Sequence, residues 1–277
     1  MLDRSYHRLS HYRPERGAPA APPVPAFTAP SRIPGITLLA VLALGALAPA
    51  SSLAQGAKVS GTIARTFEIE VREGLGTQFA DGYRRHLDWH TRAGDPWAWY
   101  MWRVSNGERA GLYVDGTFGH AWSDFDSAVD PPGDGADNVV NVDPFTTRAA
   151  NHVWRLRPEL GGLQVDPEAA PIVLRTEYRM GSGAREEFDD ALRRLRGVAG
   201  DRPYAVFELV SGGEPPTYVL WVPVATWSDA GDFAERASEI MRALAARAES
   251  TRSELWQFRP DLSICRSSKS KCHGTVP

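Results

Sequence analysis

Residues 153–160 read VWRLRPEL, and residues 255–262 read LWQFRPDL. This repeated ending decides the fold, because four further pairs of segments match in the same order before it. The matched pairs are residues 71–76 with 178–183, 96–98 with 203–205, 104–108 with 210–214, and 122–124 with 227–229. The offset between partners drifts only from 107 to 102 along the chain. Five collinear matches indicate an internal duplication.

The first copy begins with a strand and a helix. In residues 67–72 apolar and charged side chains alternate, which predicts a half-buried strand. Phe79, Tyr83 and Leu87 then recur every four residues, which places them on one apolar helix face. The glycines at Gly74 and Gly76 make the turn between the two elements.

A hairpin and a second helix follow. Asn106-Gly107 favours a tight turn, because both residues tolerate a positive φ, and it joins predicted strands 97–104 and 112–122. The second copy adds a helix whose apolar face carries Phe233, Ala237, Ile240 and Leu244. Each copy ends with a strand that stops at Arg-Pro. The order strand, helix, strand, strand, helix, strand predicts an antiparallel sheet with helices on one face.

This pattern resembles the dimeric α+β barrel superfamily, which includes antibiotic-biosynthesis-monooxygenase-like, NIPSNAP-like and chlorite-dismutase-like proteins. The resemblance covers residues 60–263 and rests on element order and duplication. It implies an α+β fold with two tandem ferredoxin-like βαββαβ units, 60–160 and 172–263, which a linker at 161–171 joins into a pseudo-dimeric α+β barrel. It leaves open whether the protein is a monomeric pseudo-dimer or a homodimer whose barrel closes between chains.

Residues 1–54 predict an export signal with a long N-terminal extension. Five arginines precede the apolar run 36–48, and Ser52-Leu53-Ala54 supplies small residues for cleavage. The run of about 13 residues is short for a membrane span. We therefore expect a periplasmic or secreted protein without stable membrane insertion after cleavage; a retained anchor is the alternative.

Net charge argues against one class of partner, and the two cysteines predict a disulfide. The formal net charge is −3, and the segment removed on export carries five arginines against one aspartate and one glutamate. No basic patch then remains, so nucleic acid is not an expected partner. Export implies an oxidising compartment, and we predict a disulfide between Cys265 and Cys272 in the tail 264–277. A metal site using Cys272 and His273 is the alternative.

Three histidines distinguish the first copy. His86 and His90 lie one helical turn apart on the apolar face, and His120 lies on the return strand. The second copy has apolar residues at the matching positions: Leu195, Ala199 and Ala225. Two imidazoles one turn apart can ligate a metal. The alternatives are haem ligation, a polar substrate pocket, or structural roles in the core and at the helix C-terminus.

An aromatic strand is the second candidate site. Alternation places Trp97 and Trp99 on one sheet face, and Tyr100 and Trp102 on the other. One pair should line the helix-facing core, where the resemblance places a cavity. Aromatic walls with a few polar groups describe many small-ligand sites, although large aromatics also simply fill cores.

The acidic segment Asp126–Asp143 stands where the second copy has a continuous helix. Its spacing does not match a calcium-binding loop. We expect a solvated surface loop, with a lid or partner-contact loop as the alternative. The sequence also contains no Gly-Lys-Ser/Thr phosphate loop and no Gly-x-Ser-x-Gly elbow.

These observations give three functional hypotheses. The first is an exported protein that binds a small, partly apolar molecule in a cavity lined by Tyr83, His86, His90, Trp97, Trp99 and His120. The second, implied by the resemblance, is a cofactor-independent or haem-dependent monooxygenase-like enzyme in which a histidine is the base or iron ligand. The third is a non-catalytic envelope protein that associates with other proteins. The sequence assigns no catalytic residue.

Overall fold

The computed structural model describes residues 61–161, 168, 170–181, 183–265 and 272. The first half contains β1 (Ile63–Val71), α1 (Gly76–Ala93), β2 (Tyr100–Val104), β3 (Tyr113–His120), α2 (Trp122–Asp126), α3 (Pro131–Asn141) and β4 (Thr146–Leu156). The second contains β5 (Ile172–Met180), α4 (Arg185–Ala199), β6 (Ala205–Ser211), β7 (Thr217–Val224), α5 (Trp227–Ala245) and β8 (Ala248–Phe258). The predicted unit boundaries at 60–160, 161–171 and 172–263 remain predictions.

The strands form one closed antiparallel barrel in the order β1-β3-β2-β8-β5-β7-β6-β4. Within each half the pairing follows the ferredoxin-like order. Between the halves, β2 pairs with β8 and β4 pairs with β6. The barrel therefore closes within one chain, and the predicted α+β fold of two tandem ferredoxin-like units is confirmed.

Aromatic side chains from both halves fill the barrel interior. Trp102 is fully buried there, and its ring centroid lies 5.0 Å from that of Trp221 and 6.4 Å from that of Trp256. The void among the interior side chains measures only about 20 Å³, which is room for about one water molecule. This void is too small for an organic ligand.

The helices cover the outer face of the sheet. In the second half α4 and α5 bury Phe188, Leu195 and Phe233 against the sheet in an apolar core. In the first half α1 buries Phe79, Tyr83 and Leu87, as predicted. The second helix of this half is divided into α2 and α3.

The prediction of a surface loop at Asp126–Asp143 was wrong, because most of the segment is helical. Asp130 caps α3, its carboxylate accepting a hydrogen bond from the Gly133 N–H at 3.2 Å, and prolines occupy the first two helical positions. The end of α3 lies against α1 at Gly82, where a Cβ would overlap the carbonyl oxygen of Asn141. The segment thus packs against α1.

Strand ends and the tail also differ from expectation. The predicted strand 97–104 begins only at Tyr100, because Trp99 instead forms an isolated bridge with Ile264, with N···O distances of 2.9 and 2.7 Å. The disulfide between Cys265 and Cys272 is confirmed, with Cα atoms 5.0 Å apart. It excludes the alternative metal site, because a bonded sulfur carries no thiolate.

Some predictions fall outside the described residues. These are the export signal at residues 1–54, most of the linker at 161–171, and His273. In the part of the chain that the structure describes, none of the helices has both the length and the apolar character needed to cross a bilayer.

Candidate functional site

A cavity of about 400 Å³ lies between α1, α3 and the outer face of β1 and β3. Its apolar wall includes Phe67, Ile69, Trp97, Trp99, Phe125 and Val142, and its polar wall includes Arg65, Tyr83, His86, His90, Asp95, Asp115, Asp134 and Asn138. All the predicted binding residues except His120 line it. Its size is typical of a small-molecule site.

His120 lies behind the aromatic wall. Its ring centroid is 4.5 Å from that of Trp97, and its Nε2 atom is 2.6 Å from the Thr117 hydroxyl oxygen. The side chain is buried. His120 therefore supports Trp97 and is not part of the cavity surface.

The predicted cavity residue Tyr83 forms a buried pair with Asp115, which sequence reasoning missed. The Tyr83 hydroxyl donates to Asp115 Oδ2 at 2.6 Å, whereas Oδ1 has no hydrogen-bond partner among the described residues. Burial raises the pKa of Asp115 to about 7, although the hydrogen bond from Tyr83 opposes this rise. Burial and the Asp115 carboxylate likewise raise the pKa of Tyr83. The carboxyl group can therefore exchange a proton near neutral pH.

His86 and His90 form the centre of a chain of polar contacts. Asp137 Oδ2 lies 2.9 Å from His86 Nδ1, and Asp95 Oδ2 lies 2.7 Å from His90 Nδ1. The two Nε2 atoms face each other at 3.2 Å. Asp134 Oδ1 is 3.4 Å from one and 3.6 Å from the other. These three ligand atoms converge closely enough to hold a metal ion.

Carboxylates hold both histidines in place. Burial opposes ionisation of Asp95, but hydrogen bonds from His90, the Trp97 N–H and the Trp99 indole keep its pKa below the usual value. Burial, together with the neighbouring His90, lowers the pKa of His86. The neutral imidazole that results is the form that binds metals.

The three predicted histidines do not fit haem. A haem iron needs an imidazole nitrogen with open space in front of it. The Nε2 atoms of His86 and His90 face each other, and that of His120 contacts Thr117. The haem-dependent alternative therefore receives no support from these side chains.

The second half has apolar residues at the positions that match the polar cavity residues of the first half. Aligning α1 with α4, and β3 with β7, places Tyr83, His86, His90 and Asp115 opposite Leu192, Leu195, Ala199 and Leu220. These four apolar residues are buried in the second core. Burying polar groups costs free energy that apolar side chains avoid. Such a replacement at four neighbouring positions indicates a functional role in the first half.

Comparisons with solved structures agree with the fold. A proposed monooxygenase from Lactobacillus acidophilus NCFM matches with a TM-score of 0.54 at 8% identity, covering 74% of this chain and 97% of that one. An anthrone oxidase-like protein matches with a TM-score of 0.51 at 9% identity, and the match covers 72% of this chain and 92% of that one. A chlorite dismutase mutant from Candidatus Nitrospira defluvii matches with a TM-score of 0.47 at 10% identity, and the match covers 73% of this chain and 93% of that one.

No protein-family model and no curated protein matches the sequence. The first two structural matches confirm the dimeric α+β barrel fold, and at this identity they show the fold alone. The NIPSNAP-like resemblance stays a prediction.

Proposed function

We propose that the protein binds a small, partly apolar molecule in the α1 cavity and oxidises it with dioxygen, as a monooxygenase-like enzyme in which Asp115 is the base. The observation that carries the proposal is the Asp115 carboxyl group on the cavity wall, with a pKa of about 7 and one oxygen that has no hydrogen-bond partner in the part of the chain that the structure describes. A base is most effective when its pKa lies near the working pH.

The cavity walls favour a flat, partly polar ligand. Trp97, Trp99 and Phe67 provide aromatic surface, and stacking against such rings suits a planar molecule. The Arg65 guanidinium lies 4.6 Å from the Phe67 ring centroid and also lines the cavity. It supplies positive charge for an anionic oxygen of the ligand.

The chemistry needs a C–H bond acidified by a neighbouring carbonyl or aromatic group. Asp115 removes the proton while Tyr83 holds the other carboxylate oxygen. The carbanion reduces dioxygen and a C–O bond forms; the protonated Asp115 then returns its proton to the peroxide oxygen, and the resulting hydroperoxide loses water to leave a carbonyl. One methylene and one dioxygen thus give one carbonyl and one water. The names of the two structural matches, a proposed monooxygenase and an anthrone oxidase-like protein, support this reaction class.

Oxygen uptake tests the proposal, with anthrone and other activated methylene compounds as probes. We expect anthraquinone as the product from anthrone, and Asp115→Asn should slow its formation by about 10²–10⁴-fold. Asp189→Asn is the matched control, because Asp189 is also buried with a raised pKa but lies on α4 of the second half. Equal rates for wild type and Asp115→Asn would contradict a role as base.

We further propose that the protein is exported. The composition of residues 1–54 and the disulfide between Cys265 and Cys272 support this, since disulfides persist in oxidising compartments. Mass spectrometry of the secreted or periplasmic fraction should find a mature chain that begins after Ala54. The envelope-association alternative would require concentration-dependent mass without any bound ligand.

A further inference from the structure

We propose that His86, His90 and Asp134 bind one divalent transition-metal ion at the wall of the α1 cavity. The site goes beyond the proposed function and does not depend on it, since metal binding can be measured without any substrate. It joins two helices, because both histidines lie on α1 and Asp134 lies on α3.

The spacing of the three ligand atoms matches a metal-coordination triangle. The edges are 3.2 Å between the two Nε2 atoms, and 3.4 and 3.6 Å from these atoms to Asp134 Oδ1. Bonds of about 2.05 Å at tetrahedral angles give ligand–ligand edges of about 3.3 Å. One ion therefore fits among the three atoms without moving any of them far.

The hydrogen bonds around the histidines leave both Nε2 atoms as lone-pair donors. A carboxylate accepts hydrogen bonds, so the Nδ1 atoms facing Asp137 and Asp95 each carry the hydrogen. In neutral rings both Nε2 atoms are then unprotonated and aimed at each other at 3.2 Å, beside a third acceptor on Asp134. Acceptors that converge in this way favour a cation between them, which is either a metal ion or a proton shared by the two imidazoles.

The supporting shell is also that of a metal site. Metal-binding histidines usually donate their second nitrogen to a carboxylate, which fixes ring orientation. Asp95 is itself held by the Trp97 N–H at 2.9 Å and the Trp99 indole at 3.0 Å. The Asn138 amide, 3.2 Å from Asp134 Oδ1, holds the third ligand.

The donor set selects the class of metal. Two imidazoles with one carboxylate suit Zn²⁺ or Fe²⁺, whereas Ca²⁺ and Mg²⁺ prefer oxygen ligands alone. Three protein ligands leave a coordination position open. All three ligand residues line the cavity, so an oxygen atom of a bound molecule can reach that position.

Metal titration of untagged, EDTA-treated full chain tests the site. We expect one Zn²⁺ per chain by calorimetry, and Co²⁺ should give the visible bands of a low-coordinate site with mixed nitrogen and oxygen ligands. His86→Leu and His90→Ala remove the ligands and introduce the residue types that the second half buries at the matching positions, Leu195 and Ala199. Each should abolish stoichiometric binding.

Further variants keep the test independent of folding. Asp134→Asn alters a partly exposed ligand on α3 and should also abolish the site, whereas Asp137→Asn should weaken binding by about 10–100-fold. His152→Gln is the control, since this half-buried histidine lies on β4 outside the cluster. Absence of binding to wild type, or equal binding by the double variant His86→Leu/His90→Ala, would overturn the proposal. If wild type bound no metal, a proton shared between the imidazoles would explain their close approach. If the double variant bound metal equally well, the bound metal would be an adventitious ion only.

Discussion

The buried Asp115 carboxyl group makes stability depend on pH. Its pKa is about 7 in the folded chain and about 3.9 when unfolded. Between these values the folded state binds more protons, so the free energy of unfolding falls as pH rises from about 4 to about 7. The whole loss is on the order of 4 kcal/mol for this 7% exposed side chain.

Asp115→Asn should remove this dependence, because the amide is uncharged and its oxygen can still accept from Tyr83. Relative to wild type, the variant should gain about 3 kcal/mol between pH 5 and pH 8. Urea unfolding of metal-free protein at both values measures the gain. A difference between variant and wild type that does not change with pH would contradict the raised pKa.

The sequence predicted some site residues and missed others for a physical reason. His86 and His90 were found because helical spacing placed them on an apolar face where the second copy has Leu195 and Ala199. The same comparison of copies, extended to the return strand, pairs Asp115 with Leu220 and would have identified it. The tertiary contacts of Asp134 have no such local signal, because they depend on how α3 packs.

Gly82 controls how closely α3 approaches α1. A methyl group there would overlap the Asn141 carbonyl oxygen, and the nearby Arg85–Asn141 hydrogen bond of 2.8 Å ties the same ends together. Gly82→Ala should therefore separate the helices, destabilise the chain by about 1–3 kcal/mol and weaken zinc binding, because the ligands lie on both helices. Urea unfolding and zinc titration measure the two effects.

Gly197→Ala on α4 is the matched control. It is also a glycine within a helix, but a Cβ there would meet nothing within 4 Å. Alanine favours helix by up to about 1 kcal/mol, so this variant should be as stable as wild type or more so. If the two variants behaved alike, close packing at Gly82 would not be the cause.

The amino-acid composition of α3 is not typical of a helix. The high proline and glycine content of residues 131–135 favours a loop. Pro131 and Pro132 nevertheless occupy the first turn of the helix, which is the only turn that tolerates proline. The Asp130 cap was a readable start signal. The contact between α3 and α1 could not be predicted from the sequence, because it depends on Gly82 facing Asn141, which is far away along the chain.

At the scale of the whole molecule, closure within one chain could not be predicted. Each copy carries the same strand pattern, so either copy could pair with its own chain or with a second molecule. Contacts specific to the two halves favour pairing of the first copy with the second over pairing of like copies. Arg109 donates to both carboxylate oxygens of Glu254, at 2.8 and 2.6 Å, and Glu254 is only 1% exposed.

A chain cut within residues 161–171 should test this interdependence. We expect neither half to fold alone, because β2 and β4 lose their partners β8 and β6, and Trp102 loses its contact with Trp221. Co-expressed halves should purify together in equal amounts and unfold in one transition. A first half that unfolds cooperatively by itself, or as a homodimer, would contradict a barrel that needs both halves.

The same split chain measures what holds the halves together. Arg109→Leu should weaken association by about 3–5 kcal/mol, because it leaves the Glu254 carboxylate buried without its main cation. Arg179→Gln is the control, since the Arg179–Glu214 pair is exposed and lies wholly within the second half. If both variants associated as wild type does, apolar packing of the shared aromatic interior would be the dominant contribution. The buried ion pair would then mainly select which strands pair.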